Sequence, residues 1–295
     1  MDKIKRKINF DVCTFCNHKC NFCSNPDKRT KKNKTSYEDF VKSMDNVLKY
    51  VQTDELGLSA KGEVLLNKDL EAIIWHYKNI YKIPYVYISS NGALMDKTRA
   101  ESLLQNGLDS IKFSINALDS TNYNAVHGKD DFQKVIENFA ALLELKQKHY
   151  PHVKLLISSV LTPHNVENPQ ESFKDIFGSK AYLINAILPY KRVITHKERI
   201  TGGGLEQELP KNTPLKSPIT HSKPLCHSPF DEIWINADCS LILCCKDYFD
   251  SINFGSLLTT DFLEIYQGIE FEKIRNMHKN GIFPPYHLCK QCLGI

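Results

Sequence analysis

The sequence predicts an α/β protein: a partial (β/α)6 barrel of the TIM type, followed by a small auxiliary module built from a β-hairpin and a helix. Three observations carry this expectation. Over the first 190 residues short β-type runs alternate with amphipathic helical segments, the pattern of a parallel sheet with right-handed crossovers. From about Gly202 the chain turns rich in glycine and proline, and the alternation stops. The ten cysteines fall in two groups, four between Cys13 and Cys23 and six from Cys226 to Cys292. The expected organisation is a barrel over 1–201, a linker or long loop over 202–224 and a C-terminal module over 225–295.

Each element has a local reason. Strands are expected at Lys7–Val12, Glu55–Ser59, Tyr85–Ser89, Ser110–Ile115, Val153–Val160 and Ala181–Leu188, where β-branched and aromatic residues concentrate. Helices are expected between them at Tyr37–Val51, Asp69–Tyr81, Lys97–Gln105, Phe132–His149 and Pro169–Phe177. In the first helix Phe40, Val41, Met44, Val47, Leu48 and Val51 recur at three- and four-residue spacing, Ser36 stands as N-cap and Asp39 occupies the first turn. Gly202–Gly204 and the prolines at 210, 214, 218 and 224 mark the loop. Beyond it, Glu232–Asn236 and Leu241–Cys244 read as a hairpin joined through Ala237–Ser240, and Asp261–Lys279 as a helix.

Composition excludes several classes of function. With 42% apolar and 24% charged residues the chain has the balance of a globular protein, and no apolar run reaches the ~18 residues of a membrane span. The start, MDKIKRKINF, lacks the apolar segment of a secretion signal, so a cytoplasmic location is expected. There thiols stay reduced, and ten cysteines read as metal ligands before disulfides. A net charge of +4 is mild and the basic run Lys28–Lys34 reads as a solvated loop, so neither nucleic acid nor membrane is an expected partner.

The first cysteine group allows two readings. Cys13/Cys16 and Cys20/Cys23 could be a pair of zinc knuckles, or Cys16, Cys20 and Cys23 could form a triad with Cys13 left over. Zinc knuckles usually stand about 12 to 20 residues apart, with a folded unit between them. Only three residues separate Cys16 from Cys20, and ligands so crowded suit an iron–sulfur cluster held in a loop. The loop follows the first strand, at the end of the barrel where ligands collect.

The triad CNHKCNFC, residues 16 to 23, is the signature of the radical SAM superfamily, which the chain resembles over its whole length. The resemblance implies a [4Fe–4S] cluster on Cys16, Cys20 and Cys23 with one iron open. S-adenosylmethionine (SAM) binds there and is cleaved by one electron to a 5′-deoxyadenosyl radical that takes a hydrogen atom from substrate. It further implies that Phe22 lies against adenine, that Gly62 and Glu63 hold the SAM ammonium, and that Ser90, Asn91, Ser114 and Asn116 contact the coenzyme. Lys61 departs from the pattern, replacing the usual first glycine of that segment. Cys13 reads as a packed strand-end thiol.

The later cysteines resemble the C-terminal extension of these enzymes that binds an auxiliary [4Fe–4S] cluster. That extension has a larger form, SPASM, and a shortened form, Twitch, which is favoured because the terminal cysteine run stops at Cys292. Its implied ligands are Cys226, Cys244, Cys289 and Cys292. Cys244 and Cys245 are adjacent near a strand end and leave on opposite faces, so only one readily meets a cluster. Cys239 sits at a glycine-like turn position in the hairpin. In size and layout the chain is similar to Twitch dehydrogenases that oxidise a secondary alcohol of an aminocyclitol.

The expected reaction is thus a two-electron oxidation of a small polyol, sugar or aminocyclitol. The auxiliary cluster is the electron acceptor, Arg192 the candidate base beside Lys191 and His196, and flavodoxin or ferredoxin the reductant. One alternative is modification of a ribosomal precursor peptide, although no N-terminal peptide-recognition domain precedes the first strand. Another is sugar epimerisation, with Cys245 returning a hydrogen atom. An electron-transfer protein without substrate leaves the Gly62-Glu63 and Asn91-Gly92 segments unexplained. Tyr123, His127 and Lys129 either face the pocket or cap the following helix.

Overall fold

The computed structural model describes residues 3–23, 32–58, 61–160, 169–190, 225–248, 250–285 and 287–294. Arg192, Lys191, His196, the Gly202–Gly204 run and most of the basic run at 28–34 lie outside the described residues. The strands are β1 Ile4–Lys5, β2 Lys7–Phe10, β3 Val51–Gln52, β4 Glu55–Leu58, β5 Tyr85–Ser90, β6 Ser110–Ser114, β7 Lys154–Val160, β8 Ala186–Tyr190, β9 Glu232–Ile235, β10 Ser240–Ile242 and β11 Asn253–Ser256. Nine of them form one sheet in the order β11-β10-β9-β2-β4-β5-β6-β7-β8. Pairing is parallel from β2 through β8, the succession expected of a partial six-stranded barrel. The C-terminal hairpin joins that same sheet, because β9 pairs in parallel with β2 while β10 runs antiparallel to β9 and β11.

Helices occupy the crossovers between the strands: α1 Tyr37–Leu48, α2 Leu70–Asn79, α3 Lys97–Gln105, α4 Ser120–His127, α5 Phe132–Lys148 and α6 Pro169–Phe177. Caps set their starts. The Ser36, Asp96 and Asp119 side chains accept from the N–H groups of Asp39, Arg99 and Asn122, contacts worth about 1 kcal/mol each. Phe40, Met44 and Val47 of α1 are fully buried, as the periodicity requires. Val51 belongs instead to β3, which pairs with β1, so the helix ends at Leu48 and the tail of the expected helix becomes sheet.

Two further expectations are corrected. The expected strand Ala181–Leu188 begins as a 3-10 helix, Gly178–Leu183, and only Ala186–Tyr190 pairs with β7. A short apolar run does not distinguish strand from buried turn. The expected helix Asp261–Lys279 is two helices, Phe262–Tyr266 and Ile269–Asn280, parted by the extended backbone of Gly268.

Side chains alternate along each strand. Ile8, Phe10, Leu56, Leu58, Val86, Ile88, Ile111 and Phe113 go to the helix side and are at most 1% exposed. Asn9, Gly57, Tyr87, Ser89, Lys112 and Ser114 face the other way, into the barrel. Gly57 leaves the room that Tyr87 occupies: a Cβ there would lie 2.5 Å from Tyr87 Oη, which donates to Asn9 Oδ1 at 3.3 Å. Hairpin residues Ile233, Ile235 and Leu241 belong to the main core, whereas Leu243, Ile274, Phe283 and Cys289 form a second, small one.

Candidate active site

The C-terminal ends of β2, β4, β5 and β6 surround a cavity of about 270 Å³. Every residue expected at the N-terminal site lines it. Cys16, Cys20, Cys23 and Phe22 come from the loop after β2, Gly62 and Glu63 from the segment after β4, Ser90 and Asn91 from the end of β5, and Ser114 and Asn116 from the end of β6. His18, Lys61, Ser89, Lys112, His127 and Val160 complete the wall.

Backbone contacts fix the loop. Gly62 is pressed against the strand end, where a Cβ would fall 2.0 Å from the Cys13 carbonyl oxygen, and Glu63 N–H donates to Phe15 O at 3.0 Å. The smallness of Gly62 therefore serves chain-to-chain packing. Glu63 is buried, and its carboxylate accepts from Leu65 N–H (3.1 Å), Ser90 Oγ (2.7 Å) and Asn91 N–H (2.8 Å). Burial nevertheless pushes its pKa up, so a cation in the cavity would be matched by a carboxylate that gains from meeting it. Ser90 and Asn91 thus aim Glu63 as well as lining the wall.

The thiols are half-buried, and burial pushes Cys16 up to about 11 and Cys20 up as well. Sulfur here receives donors: His18 N–H at 3.4 Å and Asn91 Nδ2 at 3.7 Å reach Cys16 Sγ, and His127 Nδ1 lies 3.4 Å from Cys20 Sγ. His18 Nε2 meets Asp131 at 2.9 Å. One donor atom each from His18, Cys20 and His127 falls within 4.8 Å of the others. Burial, with the nearby His18 adding to it, lowers the His127 pKa to about 3. Tyr123 stacks on His127 with ring centroids 3.9 Å apart, while Lys129 is exposed and pairs with Asp131.

Three contributors were not expected from the sequence, His18, Lys112 and Asp131, and Lys61, expected only as a departure from the family pattern, joins them. Lys61 has a fully buried side chain and is ion-paired with Asp250 of the C-terminal segment. Lys112 projects from β6 into the cavity with no ion-pair partner among the described residues, and burial lowers its pKa. Its signal was the alternation of Ser110-Ile111-Lys112-Phe113-Ser114, which puts a lysine on the barrel side.

Cys13 is 1% exposed, its thiol donates to Phe15 O at 3.4 Å, and burial pushes its pKa up to about 12. Cys239 adopts φ +61° in the hairpin turn, the glycine-like geometry expected there, with its thiol 3.6 Å from Asp39 O. Burial raises Cys289 to about 12, with the charges of Cys226 and Cys292 adding; Cys292 feels Lys246 and then Cys226, and Cys244 feels its neighbour Cys245 and then Cys289. Cys289 and Cys292 share one face of the short helix Leu288–Leu293. Cys245 feels Lys246, Glu232 and Lys61, the last of these on the cavity wall.

Comparison with known proteins decides the family. The model of the radical SAM superfamily matches residues 11–176, more than half of the chain. The chain belongs to the radical SAM superfamily. A model of an iron–sulfur cluster-binding domain, SPASM, matches residues 226–293. Among curated proteins, the GTP 3′,8-cyclase of Psychromonas ingrahamii is 29% identical over 146 residues, covering 48% of this chain and 42% of that one. The GTP 3′,8-cyclase of Clostridium botulinum (strain Okra) is 26% identical over 162 residues, covering 50% and 47%. The chain spans less than half the length of the curated relatives it matches.

Solved structures that share the fold include the following three. BtrN in complex with AdoMet and 2-DOIA has a TM-score of 0.58 at 16% identity, covering 95% of this chain and 89% of that one. SuiB of Streptococcus suis bound to S-adenosylmethionine has 0.68 at 14%, covering 93% and 68%. The structure of anSMEcpe with bound AdoMet has 0.63 at 14%, covering 94% and 84%.

A radical SAM domain carries a [4Fe–4S] cluster and SAM, and a SPASM domain carries auxiliary clusters. The residues present fit both. Three thiols on one short loop face a shared cavity, two N–H groups point at the Cys16 sulfur, and His127 Nδ1 lies beside the Cys20 sulfur. A buried carboxylate, Glu63, stands across from them for a cationic group.

Proposed function

We propose that this radical SAM enzyme carries out a two-electron oxidation of a secondary alcohol in a small polyol, sugar or aminocyclitol. In this reading Cys16, Cys20 and Cys23 hold the SAM-binding cluster, and residues 225–295 are an auxiliary module holding a second cluster on Cys226, Cys244, Cys289 and Cys292. When bound, these groups supply the electron that releases the 5′-deoxyadenosyl radical and the acceptor for the electron left after a substrate hydrogen atom is removed. The observation that carries the reading is the Lys61–Asp250 ion pair, which ties the cavity wall to the segment directly after Cys244 and Cys245. An electron acceptor beside the substrate is what an oxidation requires and an epimerisation does not.

The chain's own residues have separable tasks. Glu63, aimed by Ser90 and Asn91, orients the SAM ammonium. Phe22 lies against adenine, and Gly62, Ser114 and Asn116 shape the wall against the coenzyme. The alcohol proton needs a base. Arg192 stands as the sequence-derived candidate, and Lys112, inside the cavity with a lowered pKa, is the candidate among the described residues.

A second reading, modification of a peptide, draws on SuiB, whose structure bound to the precursor peptide SuiA shares this fold with a TM-score of 0.65. The experiment incubates reconstituted enzyme, SAM and reductant with a panel of polyols, aminocyclitols and short peptides. Ketone formation matched one-to-one by 5′-deoxyadenosine supports the oxidation. A peptide as the sole substrate overturns it.

A further inference from the structure

A hydrogen-bond chain on the cavity wall ends on a sulfur. Val160 N–H donates to Asn116 Oδ1 at 2.7 Å. A peptide N–H can only donate, so the amide oxygen faces Val160 and the amide nitrogen faces His127, at 3.3 Å from Nε2. That nitrogen is also a pure donor. Nε2 of His127 therefore accepts, and the ring proton sits on Nδ1, 3.4 Å from Cys20 Sγ. The arrangement aims a proton at the sulfur, not a lone pair at a metal. His127 is accordingly a donor to Cys20 and not a third ligand alongside His18 and Cys20.

The ring has little freedom. It is 1% exposed, stacked on Tyr123 at 3.9 Å with planes 12° apart, and abutted edge-on by His18 at 5.4 Å. His18 is itself anchored through Nε2 to Asp131. Helix α4 ends at His127 because Gly128 takes the left-handed conformation, φ +66°, and this places the imidazole over the cysteine loop. The same junction pins that loop, since Lys19 N–H donates to His127 O at 3.0 Å.

We infer that His127 is a positioning residue for the N-terminal iron–sulfur group: its Nδ1–H donates to the Cys20 sulfur, and Asn116 fixes the tautomer that makes this possible. The inference rests on the reading that Cys20 is a cluster ligand. A hydrogen bond to a ligand sulfur stabilises the more negative, reduced state and raises the reduction potential. Asn116, expected from the sequence to contact the coenzyme, acts here through His127.

The test uses full-length, anaerobically reconstituted protein. The paramagnetic signal that changes on adding SAM identifies the N-terminal cluster, and its potential is followed by redox titration without substrate. His127→Phe keeps a ring on Tyr123 but removes the donor, and is expected to lower the ratio of reduced to oxidised cluster at a fixed potential about tenfold, a shift of ~59 mV for one electron. His127→Asn, which can place an amide N–H near the Nδ1 position, is expected to recover most of it. In wild-type protein carrying histidine labelled with ¹⁵N only in the ring, the reduced cluster is expected to show one weak nitrogen coupling that vanishes in His127→Phe. An unshifted potential in an iron-replete His127→Phe, or no ring coupling in the wild type, overturns the inference. If His127→Phe assembles no cluster, the wild-type coupling decides. A wild-type chain with no SAM-responsive cluster overturns the underlying reading, a different result from an intact cluster lacking the coupling.

Discussion

The two thiol sites are built by opposite strategies. At the N-terminal site three cysteines lie within eight residues of one loop, and the barrel supplies the surroundings: Glu63, Asn91, Asn116 and His127 arrive from four different segments to brace a local motif. At the C-terminal site the thiols themselves come from far apart, Cys226 before the hairpin, Cys244 after it and Cys289 and Cys292 on the last helix. There, a second small core of Leu243, Ile274 and Phe283 holds Cys289, with Cys244 packed against it. A local motif delegates precision to its neighbours, whereas a dispersed one depends on the fold that gathers it. The first is expected to fail through chemistry, the second through folding.

The largest effect should separate the sites outright. Cys20→Ala is expected to abolish reductive SAM cleavage and remove about four irons per chain while leaving the C-terminal cluster. Cys289→Ala should remove a similar number of irons but keep SAM cleavage, with loss confined to substrate oxidation. Loss of SAM cleavage in Cys289→Ala would erase the distinction.

Next comes the tie between the regions. Asp250→Asn deprives the fully buried Lys61 ammonium of a carboxylate, and a broken buried pair costs about 3 to 5 kcal/mol. Urea unfolding should read a loss near the lower end of that range, because Asp250 is itself partly exposed. An unchanged midpoint would show that the pair contributes nothing to joining the two regions.

The smallest effect is a pH dependence of the dispersed site. His278 is 2% exposed, neither ring nitrogen has a hydrogen-bond partner among the described residues, and burial lowers its pKa from 6.5 to about 4. The unfolded chain binds the proton more readily, so stability is fully present above about pH 6.5 and is lost as pH falls towards 4. His278→Phe should flatten that part of the stability curve, measured by thermal unfolding between pH 4 and 7. An unaltered slope would remove His278 from the account.

Legibility in the sequence followed the same division. β2, β4, β5, β6 and β7 lie within two residues of expectation, and α3 and α6 match at both ends, because alternation and caps are local signals. The ten expected positions of the N-terminal site all reach one cavity, since a barrel brings its strand ends together whatever the loops contain. Helix α4 was invisible because Ser-Thr-Asn-Tyr-Asn carries little apolar periodicity. Its signals were Asp119 as N-cap and Gly128 as the left-handed stop. The Lys61–Asp250 and His18–Asp131 pairs span 189 and 113 residues and have no local trace. The sharing of one sheet by hairpin and barrel, through β9 and β2, is equally non-local.

The central claim is that one fold carries two separate iron–sulfur sites, only the first of which acts on SAM. Mössbauer spectroscopy with quantified iron, on anaerobically reconstituted wild type with and without SAM, tests it most directly. The account predicts about eight irons per chain in two cubane clusters, one of which changes its spectrum when SAM is added. About four irons in a single environment, or two clusters that both ignore SAM, would contradict it.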